Sequence, residues 1–190
     1  MSTSSEDLRA IALAEFTTAG YAATSLHRIA DLAGLSKSSV LYHYSSKETL
    51  LEATVSPAIE RMVQILDALE ASSLTPAGRR AFLEEFVDFI LQYRREVNMF
   101  INQGPSLVDV PVIDRANDVV KRLAEFFAAN TASIEEKMRF GIALGGAAYM
   151  LCSPESMAFD ADQIDEARAA LLTILTELLS SVGVPAGNGK

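Results

Sequence analysis

The chain has 190 residues, 49% of them apolar and 22% charged, and carries a net charge of −9. That composition excludes a disordered chain, and no run reaches the 18 or so apolar residues of a membrane span, Ile142–Cys152 being too short and rich in Gly and Ala. One cysteine, Cys152, excludes an internal disulfide, reads as a small buried hydrophobe and fits a reducing compartment. The polar, acidic segment Met1–Asp7 does not read as a secretory leader, so the expected address is the cytoplasm.

Helical spacing runs throughout, and strand patterns are nearly absent. Leu8, Ile11, Ala12 and Phe16 make a first apolar stripe, with Gly20 placed to end that helix. Thr24 or Ser25 caps a second helix whose Leu26, Ile29, Ala30 and Ala33 face inward, and Gly34-Leu35-Ser36 breaks it. Ser36 caps a third helix over Lys37–Tyr44, with Leu35 and Val40 at the two positions of a hydrophobic staple. Ser45 and Glu48 read as a capping box opening a fourth helix, which Pro57 is expected to kink. After a break at Ser72–Thr75, Pro76 stands at a first helical position. The helix that follows, carrying Phe82, Phe86, Phe89, Ile90 and Tyr93 with Leu83, Val87 and Leu91 beside them, is apolar over most of its circumference and should be buried. Gly104-Pro105 and Pro111 bracket an irregular link. Helices over Val112–Ala129, Ser133–Leu151 and Asp162–Val182 follow, and residues 184–190 read as a frayed tail.

Three short helices in some forty residues, the second and third joined by Gly34-Leu35-Ser36, have the organisation of a helix-turn-helix. The third helix would be about 12 Å long, matching the roughly 12 Å width of the major groove of B-DNA. Lys37, Ser38 and Ser39 in its first turn are donors able to approach base edges, and Ser36 stands just before them. Tyr42, His43 and Lys47 lie where hydroxyl, imidazole and ammonium can meet phosphate, and Thr24 and Ser25 combine hydroxyls with helix-start amides as a backbone anion site. The acidic whole weighs against a polyanionic partner, and residues 1–56 hold four cations against six anions. Within Leu26–Lys47, however, Arg28, Lys37 and Lys47 face only Asp31. Net charge governs long-range fields and non-specific binding, not a site ten residues wide.

Several stretches follow the N-terminal pattern of the tetracycline-repressor (TetR) family. They are Gly20-Tyr21, Thr24-Ser25-Leu26, Ile29-Ala30, Ala33-Gly34-Leu35-Ser36-Lys37 and Leu41-Tyr42-His43-Tyr44-Ser45-Ser46-Lys47-Glu48-Thr49-Leu50-Leu51. Over Leu8–Leu51 the chain resembles that family. The resemblance implies a three-helix DNA-binding domain, a larger helical domain holding an inducer, dimerisation through the last two helices, and repression as the usual action. Three positions depart from the pattern: Leu41 stands where a phosphate-contacting tyrosine is usual, Tyr44 replaces phenylalanine, and Ser38 replaces glycine.

Beyond Leu51 the residues say less. Phe86, Phe89, Ile90 and Tyr93 are either core or a pocket wall, and Met99, Phe100, Phe126 and Tyr149 supply further aromatic and thioether surface for a ligand. With no obvious buried acid, a hydrophobic or neutral ligand is expected. Gly141, Gly145 and Gly146 in one helix cost about 1 kcal/mol each relative to Ala, which points first to close approach by another helix and second to room for a ligand. Gly141, Gly145 and Ala148, with Leu171, Ile174, Leu175 and Leu178 on the last helix, make a candidate two-fold interface of four helices. His27 and His43 are the only histidines, and neither lies in a ligand-spaced motif, so no metal and no cofactor are expected. Glu84 and Asp88 share a face, but four nearby arginines explain them as surface ion pairs, and no nucleophile, base or metal cluster marks an enzyme.

The sequence therefore predicts an all-α protein. Residues 1–51 would form a helix-turn-helix DNA-binding domain, and residues 52–183 a helical ligand-binding and dimerisation domain. The expected function is ligand-responsive transcription regulation, a homodimeric repressor leaving a palindromic double-stranded operator when a small, mostly hydrophobic inducer binds. The rival is a helical carrier or protein-binding module without affinity for DNA.

Overall fold

The computed structural model describes residues 5–72, 75–104, 107, 109–153, 156, 158–180 and 182. Among them the chain forms nine helices and no strand: α1 (Ser5–Thr18), α2 (Leu26–Ala33), α3 (Lys37–His43), α4 (Lys47–Ser72), α5 (Pro76–Gln92), α6 (Arg94–Gln103), α7 (Pro111–Ala129), α8 (Ile134–Leu151) and α9 (Ala161–Leu179). No described helix is long and apolar enough to cross a membrane. The expected breaks at Ser73, Leu74 and Pro105 and the tail 184–190 lie outside the described residues.

The chain divides into two units, residues 1–60 with 95–118, and residues 61–94 with 119–190. In the first, Leu8, Ala12 and Phe16 of α1 are fully buried, as are Ile29 of α2 and Val40 of α3, and Met99 and Ile113 belong to the same unit. Helices as short as α2 and α3 are marginal alone. Each buried Leu, Ile or Phe side chain contributes about 1.5–3 kcal/mol and holds them in place. In the second unit α5, α8 and α9 pack on one another. Phe82 stacks on Phe86 at 5.6 Å and meets Phe127 edge-on at 5.7 Å, while Phe127 stacks on Phe140 at 3.9 Å.

Most caps fall where the residue chemistry places them. Thr75 accepts from Gly78 N–H with Pro76 in the first turn, Ser133 accepts from Glu136 N–H, and Asp160 and Gln163 form a reciprocal capping box. Three expectations shift. The fourth helix starts at Lys47, so Ser46, not Ser45, accepts the Thr49 N–H at 3.1 Å. A separate helix, α6, follows α5 after Tyr93 takes a non-helical conformation (φ −109°, ψ 25°). The last helix ends at Leu179, three residues short of the expected Val182, and buried Arg79 donates to Leu179 O, one of its orphan carbonyls, and to Val182 O beyond it. Burial holds that guanidinium below its usual pKa, opposed by the charge of Glu136. Helix α4 continues through Pro57.

Candidate nucleic-acid interface

Between α2 and α3 the chain turns on Gly34, whose φ of +67° costs a glycine nothing sterically. Gly34 N–H donates to Asp31 O and Leu35 N–H to Ala30 O, the double closure of a Schellman motif. At the start of α2, Ser25 accepts from Arg28 N–H at 3.1 Å. At the start of α3, Ser36 accepts from Ser39 N–H at 3.1 Å, and the two hydroxyls lie 2.8 Å apart. These caps fix where α3 begins and therefore which side chains share each of its faces.

Val40 and the following Tyr44 point inward. Tyr44 Oη lies 2.6 Å from Ser5 Oγ and donates to the Ser5 carbonyl, tying the end of α3 to the start of α1. A hydroxyl in place of a phenyl edge is thus put to use. The opposite face is open to solvent: Lys37, Ser38, Leu41, Tyr42 and His43 are exposed, Tyr42 by 87%. Tyr42 and His43 meet edge to face at 5.5 Å.

Two residues read from the sequence as phosphate contacts are engaged within the chain. Thr24 is buried; its hydroxyl donates to Gly20 O at 2.8 Å, and its N–H is shared between Gly20 O and Tyr21 O. Lys47 Nζ donates to Tyr21 O at 2.8 Å and Thr24 O at 2.9 Å, and lies 4.2 Å from the Tyr21 ring centre. One of its three donors remains for another partner. Burial, helped by the Glu48 carboxylate, pushes the Tyr21 phenol up to about 12, so it stays a neutral platform for the ammonium. Arg28 is paired with Glu15 at 3.0 Å and His27 with Asp31 at 2.9 Å.

Residues 8–54 match the family model for bacterial regulatory proteins of the tetR family. Residues 8–54 thus carry a helix-turn-helix of the tetR type. Similar solved structures show the fold over nearly the whole length of a TetR-family chain. The ketosteroid regulator KstR2 of Mycobacterium tuberculosis is 16% identical, with 96% of each chain covered and a TM-score of 0.69. A TetR-family regulator from Streptomyces coelicolor, SCO3833, is 25% identical over 88% of each chain, with a TM-score of 0.68. A tetR-family regulatory protein from Rhodococcus RHA1 is 20% identical, covering 96% of this chain and 98% of its own, with a TM-score of 0.65. No curated protein matches the chain. The match makes the helix-turn-helix of residues 8–54 that of bacterial DNA-binding regulatory proteins.

The remaining candidates are divided between the two units. Phe86, Phe89 and Ile90 are buried in the second unit, with Tyr93 half-buried and 5.5 Å from Phe89. Phe126 is half-buried there too, but Tyr149 is 69% exposed, whereas Met99 and Phe100 belong to the first unit. The sequence shows no obvious buried acid. The structure half-buries one acid, Glu96 on α6, and burial pushes its carboxyl above the usual range.

On α8 and α9 the picture is more coherent. Gly141 and Gly145 are exposed, and a Cβ built on Gly141, Gly145 or Gly146 meets nothing within 4 Å. Around them Ile134, Met138, Ile142 and Tyr149 are 60–76% exposed, at helical spacing, and Ile174 of α9 is 56% exposed. Ala148, Leu171 and Leu178 are half-buried, while Leu175 packs into the chain's own core. The sequence stripe on α9 thus splits between an inward and an outward face. Among the described residues no group of His, Cys, Asp and Glu could hold a metal ion.

Proposed function

We propose that this protein is a homodimeric repressor of the TetR family that reads a palindromic operator through the exposed face of α3 and leaves it when a small, mostly apolar molecule binds the helical domain. The observation that carries the reading is the outward face of α3, with Lys37, Ser38 and Tyr42 in solvent and its start fixed by Ser36. Lys37, Ser38 and Ser39 approach base edges, while Tyr42, His43, the third donor of Lys47 and the Ser25–Ser36 hydroxyls position the phosphates. Thr24 contributes by holding the loop before α2.

The outward apolar stripe of α8 and the Ile174 side of α9 support a second copy as dimer partner. Three helix glycines without an intrachain neighbour at Cβ cost stability that close approach of a second copy of α8 repays. Two copies present two α3 helices, as two half-sites require. The buried apolar side chains of Phe86, Phe89 and Ile90 favour a hydrophobic inducer, one that must bind the DNA-free state more tightly in order to release the operator.

Selection of the purified chain against random duplexes, followed by a salt titration, tests this reading. The expected result is a palindrome with half-sites about one to two helical turns apart, bound less tightly as salt rises. Failure to enrich any duplex at low salt would overturn it.

A further inference from the structure

Helix α3 has one residue whose chemistry the contacts so far leave unused. Leu41 is 40% exposed, although Val40 beside it is fully buried. At 3.6 residues per turn, Leu41 falls one turn after Lys37 and beside Ser38, at the edge of the face that Ser38 and Tyr42 present to solvent. A leucine has neither donor nor acceptor. Against a phosphate or the polar edge of a purine it would strip water and return no hydrogen bond, which is unfavourable. The floor of the major groove carries one apolar group, the C5-methyl of thymine.

We propose that Leu41 reads a thymine methyl, so that each half-site carries a thymine recognised through its methyl group rather than its hydrogen-bonding edge. The inference rests on the reading of α3 as the helix that enters the groove. It converts the loss of a phosphate-contacting tyrosine into a gain of sequence information. Contacts to phosphate position the protein without specifying sequence, whereas a methyl contact distinguishes T·A from the other pairs. It also predicts that the exposed edge of α3 loses its apolar surface to DNA rather than to another part of the chain.

The test uses the duplex selected above, with each thymine replaced in turn by deoxyuridine, which removes only the methyl. Burial of one methyl-sized group is worth about fourfold in affinity per half-site, or about fifteenfold when both half-sites of a palindrome are changed. One thymine per half-site should show that loss with the unaltered chain. With Leu41→Ala the same replacement should have no effect, because the two changes remove one contact; circular dichroism of the variant checks that its helices remain. Equal affinity for every thymine and deoxyuridine duplex overturns the inference while leaving DNA binding intact. So does a methyl effect that persists undiminished in Leu41→Ala. A chain that binds no duplex at all overturns both this inference and the reading beneath it.

Discussion

Replacing Lys47 by Met separates a bracing role from a DNA-contact role. The ammonium holds the Tyr21 and Thr24 carbonyls at 2.8 and 2.9 Å and lies over the Tyr21 ring, so it ties the start of α4 to the loop that leads into α2. Hydrogen bonds to a charged group contribute about 1.5–3 kcal/mol each when well buried. Lys47 is half-exposed, and Met retains the apolar stem, so the expected loss for the pair is about 2 kcal/mol. For a chain of this size that lowers the melting temperature by about 4–8 °C. Thermal melts followed by circular dichroism, at one fixed protein concentration because a dimer's stability depends on it, read this directly. A Lys47 that served only as a phosphate ligand would behave otherwise. Melting would be unchanged, and the slope of log affinity against log salt would fall by about 1.8 for two copies on one duplex. That pattern would refute the bracing account.

Other expected outcomes follow from the same geometry. Lys37→Ala removes an exposed cation from each copy, so the salt slope should fall by about 1.8 with melting unchanged, and between 50 and 200 mM salt the unaltered chain should lose about twelvefold more affinity than the variant; fluorescence anisotropy on a labelled operator measures both slopes. Gly145→Ala adds a methyl that meets nothing in the chain, so an isolated copy gains about 1 kcal/mol of helix stability while a closely packed dimer is pushed apart. Sedimentation velocity decides, and a more stable variant that stays dimeric would place the interface elsewhere. Asp88 is held below the usual carboxylate range by Arg168, whose Nη2 donates to it at 2.8 Å. Because the folded pKa is the lower one, this pair stabilises above about pH 4 and its contribution disappears as pH falls through the folded value. Both side chains are more than a third exposed, so solvent screening keeps the effect small. Asp88→Asn should narrow the difference in stability between pH 6 and pH 3, as measured by urea unfolding.

What was legible in the sequence is what local chemistry decides. Ser25 and Ser36 cap the helices they precede, because a side-chain oxygen there meets amides only a few residues away. The Gly34 turn is local in the same sense. The break at Tyr93 was not legible, since no Gly or Pro marks it and Gln92 and Arg94 both suit a helix interior. Nor was the engagement of Thr24 and Lys47. A threonine and a lysine next to a DNA-reading helix look like phosphate ligands until the fold brings Gly20 O, Tyr21 O and Thr24 O beside them. On α8 the apolar residues go nearly all the way round, so spacing cannot tell which side is the core. Only packing separates Phe140, Ala143, Leu144 and Ala147 inside from Ile134, Met138 and Ile142 outside.

The charges of the first unit bear on how such an acidic protein discriminates among DNA sites. Residues 1–56 hold four cations, and the structure commits two of them to itself, Arg28 to Glu15 and Lys47 to backbone carbonyls. Few phosphates are then neutralised per copy. Non-specific affinity, which comes almost entirely from counterion release, is correspondingly low. The −9 charge of the whole chain lowers it further through long-range repulsion. The specificity ratio is the quotient of specific and non-specific affinity, so weakening the denominator raises it provided the base contacts of α3 hold. Apart from Lys37, the groups proposed to reach the bases are uncharged or apolar, Ser38, Ser39 and Leu41, and do not lose their hold as salt rises in the way a phosphate-bound ammonium does. The expected outcome is an operator affinity with a shallow salt dependence and a steep sequence dependence, the reverse of what a basic DNA-binding domain shows, and salt titrations on the selected and on random duplexes measure both.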